Sequence, residues 1–182
     1  MQEKKGEPAI FRFKKKRFGM RHEIHNEDGT KFLTIKQAKK IDQMPPQYKI
    51  INTEEEEIGE IRRKTPYEYE IIDNKKEIYA TTRLDSTFNG RNGYIFILVM
   101  KTPLGIFRSP EYELTIGNVL SFWNKTRTDV YNSAGNLCYS MKKSQIDSKG
   151  VLSPFLTCVS AIAFKELYNA FRFFFLAANN SW

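Results

Sequence analysis

Histidine and cysteine are almost missing from this chain of 182 residues: His22, His25, Cys138 and Cys158 are all there is of either. On a strand, the odd separation of His22 and His25 puts them on opposite faces, so one metal ion does not see both. No metal is expected. Without a histidine beside an activated serine or cysteine, a nucleophilic triad has little to stand on. Gly-x-Ser-x-Gly, Walker and dinucleotide-binding motifs are absent too. The expectation is a binding protein that is not an enzyme and carries no cofactor. No apolar signal segment opens the chain, and two cysteines make no disulfide framework. Both features predict a reducing, cytoplasmic setting. Cys138 is expected in a strand and Cys158 in a helix, each as a core residue.

What is present is positive charge, unevenly spread. The net charge is +8, and residues 1–40 hold twelve Lys and Arg against five Asp and Glu, a net of +7. A basic arm on a nearly neutral body implies an anionic partner: a phospholipid headgroup, a nucleic acid or an acidic protein. Hydrophobic residues make up 41% and aromatics 14%, enough for one domain with its own core. The division read here is a tail over 1–8, a barrel domain over 9–178 and a tail over 179–182.

Four stretches repeat one another. With Ile24, Ile50, Ile71 and Val130 as origins, Asn26, Asn52, Asp73 and Asn132 stand two residues on. Ile35, Ile61, Thr82 and Met141 stand eleven on, and the bases Lys36, Arg62, Arg83 and Lys142 twelve on. Asn or Asp after an apolar strand residue suits a turn, because its short side chain bonds the local backbone. Turns at this spacing predict an antiparallel sheet of hairpins. The recurring base predicts positive charge along one rim.

Other segments fit the same sheet. Residues 10–18 read as a basic strand whose Phe11 and Phe13 face inward together. Glu54 to Glu57 form a solvated hairpin tip. Residues 89–93 are a turn, not a phosphate loop. Tyr94 to Met100 is an unbroken apolar run, read as a strand buried on both faces. Strands are also predicted over 112–116 and 119–123.

The pattern changes at Ser153, a good helix N-cap, with Pro154 at the favoured first position. No Gly or Pro interrupts residues 155–176, and apolar side chains cover nearly all directions around the helix. Such a helix is either enclosed by protein or spans a membrane. Lys165, Glu166 and Arg172 sit in its middle, and each charge near a bilayer centre costs about 2.5–3.5 kcal/mol. The helix, about 153–176, is therefore expected inside the sheet, with Lys165 and Arg172 reaching an open end. The fold class is mostly β: a closed antiparallel β-barrel of hairpin repeats around a long C-terminal hydrophobic helix.

The motifs along the chain resemble the tubby C-terminal domain. Lys16-Arg17-Phe18-Gly19-Met20 is similar to that family's early basic strand, and Glu27-Asp28-Gly29-Thr30-Lys31-Phe32-Leu33 to its first hairpin. Tyr48-Lys49-Ile50 matches the next strand, and Ile58-Gly59-Glu60-Ile61-Arg62 resembles its Ile-Gly-Lys-Leu-Arg. Leu104-Gly105 and Pro110 sit as in its central segment, and Ser153-Pro154-Phe155-Leu156 resembles the start of its buried helix. The chain is shorter than a typical tubby domain and lacks the family's C-terminal signature. The resemblance is thus to the superfamily, which LURP-one-related proteins and phospholipid scramblases share.

The resemblance implies a phosphoinositide-binding module at the cytoplasmic face of membranes, released at times to cytosol or nucleus, with an adaptor or signalling role. By position the headgroup residues are Lys36, Lys39, Lys40 and Arg62. Lys36 and Arg62 are also equivalent in the internal repeat. Arg12, Lys14, Lys15, Lys16, Arg17 and Arg21 are read as an auxiliary basic surface. Two other readings stand beside this one. One is nucleic-acid binding through the basic arm, with Phe11, Phe13 and Phe18 as a stacking platform. The other is scramblase-like lipid handling. Further expectations are a monomer and, besides anionic phospholipid, a protein partner.

Overall fold

Asn26, Asn52, Asp73 and Asn132 each close a hairpin in the same way. The backbone N–H of each donates to the carbonyl four residues on, and its own carbonyl accepts from the N–H three residues on. The residue three on has a positive φ every time: Gly29 at 88°, Glu55 at 64°, Lys76 at 66° and Gly135 at 78°. This is the hairpin loop in which a left-handed residue precedes the returning strand and makes a bulge. The strand register slips just after Ile24, Ile50, Ile71 and Val130, the four origins of the repeat. At Asn52, Asp73 and Asn132 the side-chain Oδ1 accepts the N–H groups two and four residues on. At Asn26 the neighbouring Asp28 takes over, accepting from the N–H and hydroxyl of Thr30.

The computed structural model describes residues 6–15, 21–38, 47–90, 93–119, 122 and 126–179. Its strands are β1 (Pro8–Lys15), β2 (Arg21–Asn26), β3 (Lys31–Gln37), β4 (Tyr48–Ile51), β5 (Glu57–Thr65), β6 (Glu68–Asp73) and β7 (Ile78–Phe88). They continue as β8 (Gly93–Thr102), β9 (Gly105–Arg108), β10 (Tyr112–Thr115), β11 (Thr128–Asn132), β12 (Leu137–Lys142) and β13 (Gln145–Lys149). Neighbours run β8-β7-β6-β5-β4-β3-β2-β1-β13-β12-β11-β9, and β9 pairs back onto β8, so the antiparallel barrel closes. The short β10 lies on the same edge of β8 as β9, beside its first half. Closure leaves the ring without an exposed edge.

One helix, α1 (Pro154–Asn179), fills the barrel. Ser153 caps it, with Oγ accepting the Leu156 N–H at 3.2 Å. Leu156 to Phe164 is buried without a break, which accounts for apolar side chains on every side of the helix. Of the two polar residues in this stretch, Ser160 is satisfied locally: its Oγ pairs with the Tyr139 hydroxyl at 2.9 Å and donates to the Thr157 carbonyl, while the buried Thr157 hydroxyl has no partner. No helix among the described residues is long and apolar enough to cross a membrane.

Alternating strand directions give the barrel two distinct ends. The four Asx loops and the 102–105 turn lie at one end, where α1 begins and Phe155 packs against Tyr79. The turns over 65–68 and 142–145 lie at the other, where the last turns of α1 pack Phe171 and Phe175 against Tyr94.

β1 runs over Pro8–Lys15, and residues 16–18 of the expected basic strand lie outside the described residues. Two expectations need correction. Residues 119–123 are not a strand where described: Val119, Phe122 and Thr126 donate to carbonyls four residues back, a helical pattern. β8 alternates over most of its length, with Phe96, Leu98 and Met100 in the core and Ile95 exposed, although Val99 on the outer face is buried too. Its apolar run therefore meets the helix on one face only.

Candidate functional site

Each strand places alternate residues outside. Ile24, Ile35 and Ile50 point into the core, so Arg21, Lys36 and Lys49 face outward on β2, β3 and β4. The register sets them in one row: Arg21 directly opposes Lys36, and Lys36 directly opposes Lys49. Like charges opposite one another on a sheet are destabilising, and the two outer bases of the row turn to acids beside it. Arg21 is held by Glu23 at 3.2 Å and Lys49 by Glu57 at 2.6 Å. The Glu57 hydrogen bond raises the Lys49 pKa, which keeps the amine charged. Among the described residues Lys36 makes no ion pair.

Arg62 lies on the same outer face, on β5. Glu60, two residues before it, opposes Lys49. Strand spacing then puts the Cα atoms of Lys36 and Arg62 roughly 12 Å apart. The Arg62 guanidinium is already closed on one carboxylate oxygen of Glu70, with Nη2 at 2.8 Å and Nε at 3.3 Å. That hydrogen bond raises the Arg62 pKa. Lys64 adds a second cation 3.6 Å from Glu70. An anion approaching Arg62 therefore competes with Glu70.

The strip continues around the barrel. Lys14 opposes Glu23, and Arg12 stands between His25 and Gln145, which itself opposes Lys142. Beside Lys142 a polar hollow of about 390 Å³ is lined by Arg127, Ser140, Lys143 and Ser144. Of the expected site residues, Arg12, Lys14, Arg21, Lys36 and Arg62 are thus brought to one outer belt. Lys15 ends β1 at the same end of the barrel; its side chain, and all of Lys16, Arg17, Lys39 and Lys40, lie outside the described residues. Lys49 was missed as a site residue, although alternation about Ile50 already turns it outward.

The repeated bases Lys36, Arg62, Arg83 and Lys142 all fall toward the end where α1 finishes, as the repeat predicts, but they are spread around the circumference. The opposite end carries Glu27, Asp28, Glu54, Glu55, Glu56, Glu57, Asp73 and Glu77, relieved by Lys31, Lys75 and Lys76. A mostly apolar pocket of about 790 Å³, lined by Ile58, Ile78, Tyr79, Leu104 and Phe155, opens there, far from the belt.

Inside the basic end lies a polar cluster that the sequence alone did not reveal. Glu166 receives the Tyr48 hydroxyl at 2.8 Å and pairs with His22 Nε2 at 3.1 Å. Lys165 Nζ sits 4.2 Å above the Phe13 ring. His22 is buried and His25 is on the outer face, so they are on opposite sides as expected. No group of three or more potential metal ligands occurs among the described residues. Burial pushes the Cys138 thiol up to about 11 and holds the Cys158 thiol well above its ordinary value, so both thiols stay protonated at neutral pH. Phe11 and Phe13 are core residues, which removes them as a stacking platform for bases.

The barrel resembles a solved structure, an X-ray structure of a protein from Arabidopsis thaliana, AT5G01750. The TM-score is 0.60 with 8% sequence identity, over 88% of this chain and 91% of that chain. The two chains share a fold. No protein-family model matches the sequence, and no curated protein matches it.

Proposed function

We propose that this is a tubby-like module that binds phosphoinositide headgroups and attaches reversibly to the cytoplasmic face of a membrane. The observation that carries the reading is the outward row Arg21, Lys36 and Lys49, with Arg62 beyond it. Lys36, which makes no ion pair among the described residues, stands at the centre of the row between two bases whose acid partners a polyanion would replace. Lys supplies mobile point charges for phosphate and Arg a planar fork. Lys39 and Lys40 follow β3 directly in the chain and belong to the proposed site. The fold shared with AT5G01750 is compatible with a tubby-like relation, and the residue motifs support it.

The belt along Arg12, Lys14 and Lys142 adds attraction of about 1 kcal/mol for each base that comes near an anionic surface. Attachment through exposed charge alone is reversible. It weakens with salt, because exposed charges are screened over about 8 Å at physiological ionic strength.

Co-sedimentation with vesicles tests the proposal. Neutral phosphatidylcholine vesicles are compared with vesicles containing phosphatidylserine or phosphatidylinositol 4,5-bisphosphate, across a salt series. The protein is expected to prefer the bisphosphate vesicles, with binding falling steeply as salt rises. Changing Lys36, Lys39, Lys40 and Arg62 together to Ala is expected to remove most of it without unfolding the domain. Intact binding by that variant sinks the headgroup site. Equal binding to phosphatidylserine vesicles removes headgroup specificity, and preference for RNA or DNA at matched salt removes the membrane reading.

A further inference from the structure

The last turns of α1 divide their aromatics. Phe171 and Phe175 are 4% and 3% exposed and pack inside the barrel against Tyr94, whereas Phe173 and Phe174 are 63% and 45% exposed. Helical spacing explains the split: residues four apart share a face, and those between them point elsewhere. The exposed rings are not scattered. Phe173 lies 6.0 Å from Phe174, which lies 6.2 Å from Tyr67 in the β5–β6 turn. Phe88, 57% exposed at the end of β7, stacks edge-on with Tyr94, which packs on Phe171 and Phe175 of the same helix turns. Single exposed hydrophobics are ordinary, but a contiguous aromatic patch marks an interaction surface.

We infer that this end of the barrel is a membrane-insertion tip, with Phe88, Phe173 and Phe174 entering the boundary between headgroups and acyl chains of an anionic bilayer. The inference rests on the membrane reading above and adds the orientation of the protein on the surface. Charge complementarity selects a bilayer as the occupant. The patch sits at the end toward which Lys36, Arg62, Lys64, Arg83 and Lys142 are gathered, while most of the exposed acids lie at the far end. Aromatic rings with bases around them suit the interface, where the rings leave water and the bases meet phosphate. Lying flat would bring the acidic loops to the anionic surface; standing on the helix-exit end keeps them away. The apolar and electrostatic contributions then come from different residues and can be separated.

Flotation with vesicles of phosphatidylcholine, phosphatidylserine and phosphatidylinositol 4,5-bisphosphate tests this, using the parent, Phe173→Ser/Phe174→Ser and Phe173→Trp. Both phenylalanines lie outside the core, so the double variant is expected to keep the parent's melting temperature. It is expected to bind about tenfold more weakly, with the parent's salt dependence, because no charge is lost. Tryptophan at 173, after subtraction of the parent's signal, is expected to shift to the blue and to be quenched by brominated acyl chains. If the parent binds these vesicles but tryptophan at 173 is not quenched, insertion is overturned while the headgroup reading stands. If the parent binds no anionic vesicle, both fail together. A parent that self-associates in solution through the patch, with the double variant monomeric, assigns these rings to a second copy of the chain and also overturns the inference.

Discussion

Lys36 on β3 stands directly across from Lys49 on β4 on the outer face of the barrel, like charge opposite like charge, with the Lys49 amine turned to Glu57. Arg21 flanks Lys36 on its other side. For folding alone, an acid at position 36 is the better choice. Cross-strand pairs of opposite charge contribute roughly 0.2–1 kcal/mol, and like pairs oppose folding. Lys36→Glu is therefore expected to stabilise the domain by an amount in that range and to weaken binding to anionic vesicles at the same time. Urea unfolding and vesicle co-sedimentation on one preparation check both signs. A variant that loses stability contradicts the register, and one that keeps full binding removes Lys36 from the site.

Glu70 sequesters Arg62 and draws Lys64 toward it. Glu70→Gln keeps the shape and removes the charge. It is expected to tighten binding to bisphosphate vesicles several-fold, because Arg62 no longer has to leave a carboxylate. The variant also loses a charge-assisted hydrogen bond, at a cost of about 1.5–3 kcal/mol. Unchanged vesicle affinity shows that Arg62 takes no part.

The Asx loops make an opposed pair of stability tests. Asp73 accepts two backbone N–H groups, so Asp73→Ala is expected to lower stability by about 1 kcal/mol or more. Lys76 holds a left-handed conformation at φ 66° that glycine adopts without strain. Lys76→Gly is expected to raise the urea midpoint, by about 0.5–1 kcal/mol of stability. Neither change is expected to alter vesicle binding, because this loop is at the end away from the belt.

Burial raises the phenol pKa values of Tyr48, Tyr69, Tyr139 and Tyr168 above the usual value near 10. Below that value the phenols are protonated whether the chain is folded or not, and their contribution to stability is complete. As pH rises past about 10 the unfolded phenols ionise first, which draws the equilibrium toward the unfolded chain. The melting temperature is expected to hold near neutrality and fall steadily above that pH. Tyrosinate absorbance should rise together with unfolding. A stable fold with these phenols ionised contradicts the burial described for them.

The hairpins, the helix and its cap were legible in the sequence because their causes are local. An Asx residue bonds the next few N–H groups wherever it stands, so Asn26, Asn52, Asp73 and Asn132 revealed their loops by spacing alone. Continuous burial of Leu156 to Phe164 follows from a helix with no polar side. Residues 119–123 were misread because a short apolar run suits a strand and a helical turn equally well.

The site was legible only in part, because its chemistry is set across strands. The bases Lys36 and Arg62 can be found by counting along the repeat. That Lys36 faces Lys49, and that Arg62 is held by Glu70, depends on register between strands. The Tyr48, His22 and Glu166 cluster joins residues more than a hundred positions apart. Periodicity marked Phe171 to Phe175 as apolar in nearly every direction, but the barrel's finite length decided which rings were enclosed. The sequence by itself thus determined the turns, the buried helix and the sign of the charge, since each arises within a few bonds or a few turns. Ring closure through β8 and β9, the basic row and the exposed aromatic tip were decided by tertiary structure, because each needs groups that meet only when the barrel has closed.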